Sequence, residues 1–146
     1  MAALSQTFRA ESEKVHAEHQ AILGLLESLE GSLVQLSSEP QAPATALDLG
    51  LRLVRELPEH CRHEEEKLHG TVGEVSPELA EFCALMRREH DAMRVRLGSF
   101  AAALDRFQTA PHLPATAEHL RNEGKTFIQQ LRSHIELEER ELSGFL

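Results

Sequence analysis

Two His-x-x-x-Glu motifs can each bring an imidazole and a carboxylate to one point. The first joins His60 to Glu64, and the second joins His134 to Glu138. Residues four positions apart share one face of a helix, one turn apart, so the two side chains of each motif can reach a common atom. Imidazole nitrogens and carboxylate oxygens are ligands for divalent metals, and the motifs therefore indicate metal chemistry.

A Glu-His pair precedes each motif, so the chain carries the same order of residues twice. Glu18-His19 precedes the first motif and Glu89-His90 precedes the second. The histidine of the pair stands 41 residues before that of the motif in the first half and 44 residues before it in the second. The candidate metal ligands are His19, His60, Glu64, His90, His134 and Glu138.

Helices must position these residues, because apolar residues and candidate ligands share one helical period. They recur at alternating steps of three and four, the spacing of helices that pack along a seam. This predicts a first helix over about residues 5–37, with a seam of Val15, His19, Ile22, Leu26, Leu29, Leu33 and Leu36. Three later segments keep the spacing, with seams of Leu53, Leu57, His60, Glu64 and Leu68, then Leu79, Met86, His90, Met93, Leu97, Phe100, Leu104 and Phe107, then Leu120, Phe127, Leu131, His134, Glu138, Leu142 and Phe145.

Three turn-rich stretches divide the chain into these four segments. Residues 37–44, 70–77 and 109–116 are rich in Gly, Pro, Ser or Thr, which favour turns. Ser76, Pro77 and Glu78 supply the N-cap, first-turn proline and first-turn acid of a helix start. No segment alternates with a period of two, so we predict an all-α fold: an up-down-up-down antiparallel four-helix bundle, one domain over residues 1–146, with the metal site in its core.

Glu64 and Glu138 stand at seam positions that the pattern would otherwise give to Leu or Ile. An unpaired carboxylate in a protein core costs several kcal/mol, and no Lys or Arg lies on the same seams to offset it. A rise of about 1.5 Å per residue places His19, His60, Glu64 and His90 at similar heights in the bundle. The same count places His134 and Glu138 one or two turns lower, which is within the error of the predicted helix ends. The predicted compensating charge is therefore metal, held in one shared layer.

The ligand set decides how many ions, and which metal, we expect. Four imidazoles and two carboxylates exceed the four ligands of one structural zinc, and carboxylates can bridge, so two ions fit better. Mixed imidazole and carboxylate ligation with open positions is typical of non-haem Fe(II) sites, which makes iron the predicted metal and leaves zinc and manganese open. A neutral hydrogen-bond network with both glutamates protonated is disfavoured, because the same order occurs in both halves.

On these motifs the chain resembles the hemerythrin-like family, also called HHE cation-binding domains, over nearly its whole length. The resemblance is carried by Glu18-His19, His60-x-x-x-Glu64, Glu89-His90 and His134-x-x-x-Glu138. It implies a non-haem di-iron centre in which Glu64 and Glu138 bridge the two irons and the four histidines are terminal ligands.

The third segment departs from the family's pattern. Oxygen-carrying hemerythrins place a second histidine on the third helix, four residues from the first, but here the positions four residues from His90 hold Met86 and Arg94. The missing ligand weakens the interpretation as a simple oxygen carrier and favours chemistry at an open metal position. A water molecule, His16 or His63 could complete the coordination.

The remaining candidates have ordinary interpretations. Solvent exposure is expected at predicted helix ends and turns for His69, His112 and His119. A solvated face, or else a hydrogen bond to a ligating histidine, is the expectation for Glu18, Glu65, Glu89 and Glu139. Packed, reduced thiols are expected for Cys61 and Cys83.

The composition excludes several classes of protein. With 15 Lys and Arg against 24 Asp and Glu, the net charge of −9 would repel nucleic-acid phosphates and anionic membrane surfaces. The chain has no Tyr, which excludes tyrosyl-radical chemistry, and its two Cys are too few for a disulfide framework. Neither a signal-peptide pattern nor an apolar run of membrane-spanning length is present, so we expect a cytoplasmic protein.

The function that the resemblance implies is binding of, or reaction with, a small ligand: dioxygen, nitric oxide or peroxide. The chain shows no dinucleotide-binding motif, so any reductant must come from outside, for instance from an external reductase. The alternative is a non-catalytic module that responds to iron or oxygen, or stores metal, and whose fold loosens when the metal is lost.

Overall fold

Four long helices make up the fold. The computed structural model describes residues 6–71 and 76–145. Its helices are α1 (Gln6–Val34), α2 (Ala42–His63), α3 (Pro77–Thr109) and α4 (Pro114–Phe145), and no strand occurs within the described residues. The four predicted helices and the all-α class are confirmed.

The bounds of the first helix differ from the prediction at its far end. Residue 5, the predicted start, and residues 72–75 of the predicted turn stretch lie outside the described residues. α1 ends at Val34 rather than near residue 37, because the chain tightens there and the Leu36 N–H bonds to the Leu33 carbonyl, three residues back. Leu36 is nevertheless buried, as its place in the seam predicts.

Each helix packs against its two neighbours around the bundle. The packed pairs are α1–α2, α2–α3, α3–α4 and α4–α1. Successive helices joined by short connections run in alternating directions, which gives the predicted up-down-up-down bundle. Over the part of the chain that the structure describes, no helix is long and apolar enough to cross a membrane.

The predicted seams form the core, which falls into two apolar clusters. All seam side chains are buried except that of Phe145, which is partly buried. The large cluster draws on all four helices and includes Leu26, Leu53, Phe100 and Phe127. The small cluster consists of Phe8, Val15, Leu68, Leu79, Phe82, Cys83, Met86 and Leu142. Along every helix, the polar seam residues stand at the boundary between the two clusters.

The start of α3 follows the predicted capping pattern. Ser76 has an extended backbone, and its hydroxyl oxygen accepts a hydrogen bond from the Leu79 N–H at 3.3 Å. Pro77 occupies the first turn, where its missing N–H costs nothing, and Glu78 lies beside the positive end of the helix dipole. The predicted helix start is confirmed, and it sets the path along which α3 carries His90 into the bundle.

Two buried glycines allow neighbouring helices to approach closely. A Cβ atom at Gly124 of α4 would lie 2.5 Å from the Cδ1 atom of Leu33 on α1. A Cβ atom at Gly50 of α2 would lie 2.8 Å from a methyl carbon of Leu104 on α3. Both helix pairs carry candidate ligands on each partner, so the glycines help to set the distance between those ligands.

The chain changes its winding directly after α2. Residues Glu64–Leu68 form a π-helical turn, in which the His69 N–H donates to the Glu64 carbonyl five residues back. A single 3-10 turn, His69–Thr71, follows. The apolar spacing does not predict this wider turn, and the turn changes which side chains after Glu64 face the bundle.

Candidate metal centre

The structure brings the six candidate ligands into one layer of the core. Each of the four helices, together with the π-helical turn that extends α2, contributes to this metal layer, and no member is more than 6% exposed. Its members are His19, His60, Glu64, His90, His134 and Glu138. The sequence argument for one shared layer agrees with this arrangement.

Ligand atoms of the metal layer form two groups that share Glu64. The groups are His19, His60 and Glu64, and Glu64, His90, His134 and Glu138. Within each group, one ligand atom per residue lies within 4.8 Å of every other, which is close enough to hold a metal ion. Glu64 Oε1 lies 2.7 Å from His60 Nε2 in the first group and 3.7 Å from His90 Nε2 in the second.

Glu138 also faces both groups. Its Oε2 atom lies 3.3 Å from Nε2 of His134, one turn away on the same helix. Its Oε1 atom lies 3.3 Å from Nε2 of His19, which belongs to the other group. Glu64 and Glu138 therefore each approach histidines of both groups.

The atoms that converge in the metal layer have no hydrogen-bond partners among the described residues. They are the Nε2 atoms of the four histidines and both carboxylate oxygens of Glu64 and Glu138. Even the close approach of His60 to Glu64 lacks the angles of a hydrogen bond. Buried polar atoms without partners are rare and costly, because they have lost their hydrogen bonds to water. Eight such atoms, all able to donate a lone pair, fit a bound cation.

In the metal-free site, the buried carboxylates favour positive charge on the neighbouring histidines. Burial lowers the pKa of His19, but the carboxylates of Glu138 and Glu64 outweigh burial and raise this pKa to about 10. Burial likewise lowers the pKa of His60, and Glu18 and Glu64 raise it to about 9. Burial raises the pKa of Glu64, but contacts with Glu138 and the imidazoles hold it well below its usual range. Without metal, protons must supply the counter-charge.

Every histidine of the metal layer uses its other ring nitrogen, Nδ1, to hold a second carboxylate. The four Nδ1–oxygen distances are 2.8 Å for His19–Glu139, 3.3 Å for His60–Glu18, 3.1 Å for His90–Glu65 and 2.9 Å for His134–Glu89. An ionised carboxylate can only accept, so Nδ1 donates and the Nε2 lone pair stays free for a metal. Such a carboxylate is the usual support of a metal-ligating histidine.

These four hydrogen bonds run around the bundle in one sense. α1 supplies the carboxylate for the histidine of α2, the π-helical turn supplies it for α3, α3 for α4, and α4 for α1. The outer carboxylates, as we call them, are Glu18, Glu65, Glu89 and Glu139. Their contacts tie each helix to the next at the level of the metal layer.

Of the two expectations for the outer carboxylates, the structure shows the hydrogen bond to a histidine of the metal layer rather than the solvated face. Each side chain is between 25% and 35% exposed, and each accepts a hydrogen bond from a neighbouring helix. The spacing along one helix cannot show which side chain of the next helix lies opposite. A signal was present, however, because every outer carboxylate stands directly beside a member of the metal layer in the sequence, as in Glu18-His19 and Glu64-Glu65.

His16 and His63 contact outer carboxylates and lie outside the metal layer. The Nδ1 atom of His16 lies 3.0 Å from the carboxylate of Glu139, and the side chain is 60% exposed. His63 lies 2.6 Å from Glu18 through Nδ1 and 3.1 Å from Glu11 through Nε2. Neither histidine belongs to the two groups that could hold a metal ion.

His69 contradicts the expectation of solvent exposure. Its side chain is buried, and its ring stacks against that of His90 with 6.2 Å between ring centres. Burial lowers the pKa of His69 to about 4, so the imidazole is neutral. The cause of its burial is the π-helical turn that precedes it. His112 is exposed as expected, whereas His119 is partly buried.

Neither position four residues from His90 supplies a ligand. Met86 is fully buried in the small cluster, and the guanidinium of Arg94 lies 3.5 Å from the Glu65 carboxylate at the edge of the bundle.

The cysteines are buried free thiols, as predicted, and burial raises the pKa of Cys61 to about 12 and that of Cys83 to about 11. Thiols of this kind are unreactive at neutral pH.

The region that builds this site matches a known protein family. Residues 11–146 match the sequence model of the Hemerythrin HHE cation binding domain. No curated protein and no solved structure matches the chain. The matched region contains the whole metal layer and all four outer carboxylates.

Proposed function

The chain belongs to the hemerythrin HHE cation-binding domain family, whose members bind a metal cation through His and Glu side chains, and from this premise we propose that its cation site is a non-haem di-iron centre. The proposed ligands are His19, His60, Glu64, His90, His134 and Glu138. Both glutamates bridge the ions and the four histidines are terminal ligands. The centre binds, or reacts with, dioxygen, nitric oxide or peroxide.

One observation carries the proposal. Eight unpaired lone-pair donors converge in the metal layer, and they fall into two groups that share Glu64. Two overlapping groups suit two ions joined by a shared carboxylate better than they suit one ion. Imidazoles and carboxylates together, with positions left open, are the ligands that non-haem ferrous sites use, which favours iron.

Met86 supports reaction at the centre rather than simple oxygen carriage. It is fully buried and occupies one of the two positions, four residues from His90, at which the second histidine of the oxygen-carrying hemerythrins is missing. An open position allows a small ligand to reach the metal. When bound, a pair of ferrous ions would supply the two electrons that, with two protons, convert one hydrogen peroxide to two water molecules, and an external reductase would return the electrons.

The protein's own residues have three tasks in this proposal. The metal layer holds the ions, and the outer carboxylates orient the imidazoles and hold the proton of each neutral ring on Nδ1, so that Nε2 can bind a metal. The two apolar clusters flank the layer and shield the site from bulk water. Electrons and ligand must therefore both enter from outside the bundle.

Iron content tests the ligand assignment. Protein reconstituted with Fe(II) in the absence of oxygen should hold two irons per chain, and His60→Ala or Glu138→Ala should hold far less. His112→Ala is the matched control, because His112 is exposed in the connection between α3 and α4. Equal iron in all three variants would contradict the ligand set, and a single iron in the wild type would contradict the di-iron centre.

Consumption of hydrogen peroxide tests the reaction. Iron-loaded protein supplied with a chemical reductant should consume peroxide over many turnovers, and metal-free protein should not. Reversible binding of dioxygen without any consumption would instead indicate a carrier, despite the buried Met86.

A second candidate function is a module that responds to iron or oxygen, or stores metal. It is favoured by the position of the metal layer, which touches all four helices at the boundary between the clusters. Loss of the ions would leave two carboxylates without a metal partner in the core and would loosen the fold. A large drop in melting temperature on chelation, with no turnover by the loaded protein, would support this candidate over the first.

A further inference from the structure

We propose that His69 lines the open coordination position of the metal centre and donates a hydrogen bond to the small ligand bound there. The inference rests on the proposed function and adds a residue that lies outside the repeated motifs. The ligand class is a small molecule or anion, such as peroxide or azide, that binds the metal through one atom and carries a lone pair on another.

His69 is a buried polar side chain with no hydrogen-bond partner among the described residues. It is 4% exposed, and neither Nδ1 nor Nε2 has a hydrogen-bond partner in the described part of the chain. A neutral imidazole carries one N–H donor and one acceptor, and burying both of them unpaired is costly. The side chain therefore needs a partner that the described residues do not supply.

The ring of His69 lies beside the metal layer. The imidazole planes of His69 and His90 differ by 11°, and the ring centres are 6.2 Å apart. His90 is a proposed ligand, whereas His69 belongs to neither group of converging ligand atoms. Because His69 lies beside a proposed ligand but outside both groups, it suits contact with a molecule bound to the metal better than contact with the metal itself.

His69 and Met86 lie on the same side of the metal layer. Met86 precedes His90 by one turn, on the stretch of α3 that rises from the small cluster. His69 follows Glu64 on the stretch of chain that descends toward the same cluster, in which its neighbour Leu68 packs with Met86. α3 therefore lacks a second histidine ligand on the side of the metal layer that faces the small cluster. The imidazole of His69 lies on that same side.

The second half of the chain provides an internal comparison. Ser143 follows Glu138 by five residues, as His69 follows Glu64 by five. α4 stays a regular α-helix there, and Ser143 is exposed, because residues five apart in an α-helix point about 140° away from each other. In the π-helical turn the same two positions are joined by a backbone hydrogen bond. Wide turns of this kind are frequent at functional sites.

Azide binding to the oxidised, iron-loaded protein tests the inference. His69→Leu should keep two irons per chain but bind azide about tenfold more weakly, because one hydrogen bond to the ligand is lost. His69→Gln keeps an N–H donor and should recover part of the affinity. His119→Leu is the matched control, since it removes a partly buried histidine far along the chain from the metal layer, and it should bind azide as the wild type does.

A second measurement tests the inference in the wild type itself. The antisymmetric stretch of bound azide should shift when H₂O is replaced by D₂O, because the donor is an exchangeable N–H, and the shift should vanish in His69→Leu. No shift in the wild type would overturn the inference even if His69→Leu fails to fold.

Iron content separates the two proposals. If the wild type does not hold two irons, the di-iron proposal falls and this inference falls with it. If the wild type holds two irons and His69→Leu does not, His69 is a metal ligand and the proposed contact is wrong. If both His69 variants hold two irons and bind azide as tightly as the wild type, only this inference is overturned.

Discussion

At the scale of single residues, the four histidines of the metal layer divide their ring nitrogens between two tasks. Nδ1 donates to an outer carboxylate, and Nε2 keeps a lone pair in the layer. A carboxylate partner makes the imidazole a stronger ligand and holds its ring orientation. Metal affinity should therefore depend on glutamates that do not touch the metal.

Glu89 provides a direct test of that dependence. It accepts the Nδ1–H of His134 at 2.9 Å, so Glu89→Gln should weaken iron binding about tenfold to hundredfold. Glu136→Gln is the control, because Glu136 is exposed on α4, two residues after His134, and its loss should leave the affinity unchanged. Competition with a chelator of known affinity measures both variants, and equal affinities would mean that the hydrogen bond is dispensable.

The metal-free protein should become less stable as the pH rises above neutral. The folded-state pKa values of His19 and His60, about 10 and about 9, lie above the ordinary value of 6.5. Their stabilising contribution is therefore complete below pH 6.5 and is lost as the pH rises through the folded-state values. Urea unfolding in the presence of a chelator should give a lower midpoint at pH 9 than at pH 6.5.

Metal-loaded protein is the control for this pH dependence. Metal replaces the protons on the imidazoles, and metal binding is favoured at higher pH, so the loaded protein should not show the same loss. An unchanged midpoint in the metal-free protein would mean that the buried imidazoles are neutral there.

The sequence predicts the residues of the metal layer better than the residues around it. A histidine or glutamate at a seam position is conspicuous, because the helical period reserves that position for an apolar side chain. Glu89 and Glu139 lie off the seams, and their role depends on the facing helix, which the period of one helix does not describe. His69 was misplaced for another reason: its direction depends on a local change of helical winding.

At the scale of helices, the separation between neighbours depends on glycines as well as on the seams. Gly50 and Gly98 offer a matched comparison, since a Cβ atom at Gly50 would meet Leu104 at 2.8 Å, whereas one at exposed Gly98 would meet nothing within 4 Å. Gly98→Ala should stabilise the protein by about 0.5–1 kcal/mol through helix propensity. Gly50→Ala should be less stable than Gly98→Ala by about 1–3 kcal/mol, because it overpacks the interface between α2 and α3.

Chemical unfolding of the two glycine variants measures this difference. Equal stabilities would show that Leu104 moves aside without cost and that Gly50 does not limit the helix separation.

Helix identity and direction could be predicted because four long periodic segments are separated by clear turn residues. The N-terminus of α3 could be predicted in detail, because Ser76 and Pro77 act through local geometry alone. The π-helical turn Glu64–Leu68 could not, since one widened turn leaves the seam residues Glu64 and Leu68 buried, as the regular period requires. Its effect begins only at the next residue, His69.

At the scale of the whole molecule, the metal layer separates two apolar clusters of unequal size. The small cluster lies beyond the layer and contains only eight buried residues among those described. Metal ions in the layer would join all four helices beside the small cluster. They should therefore stabilise this end of the bundle more than the end filled by the large cluster. Local opening follows the weaker end of a structure.

Removal of the metal should raise hydrogen exchange unevenly. Amides of residues 8–15 and 79–86, beside the small cluster, should lose more protection than amides of residues 97–104, which lie in the large cluster. Mass spectrometry of loaded and chelated protein measures the change. A uniform loss over both regions would mean that the bundle opens as one unit, and no loss would mean that the metal does not hold the helices together.

The ring of outer carboxylates also has a symmetry that bears on the origin of the site. Exchange of the two halves of the chain converts the Glu18–His60 hydrogen bond into Glu89–His134, and Glu65–His90 into Glu139–His19. Two identical helical hairpins, paired about a twofold axis, could therefore build the whole arrangement, which is what duplication of an ancestral hairpin would produce. The halves differ where His69 corresponds to Ser143, so the two groups of candidate ligands are inequivalent on the side where we place the small ligand.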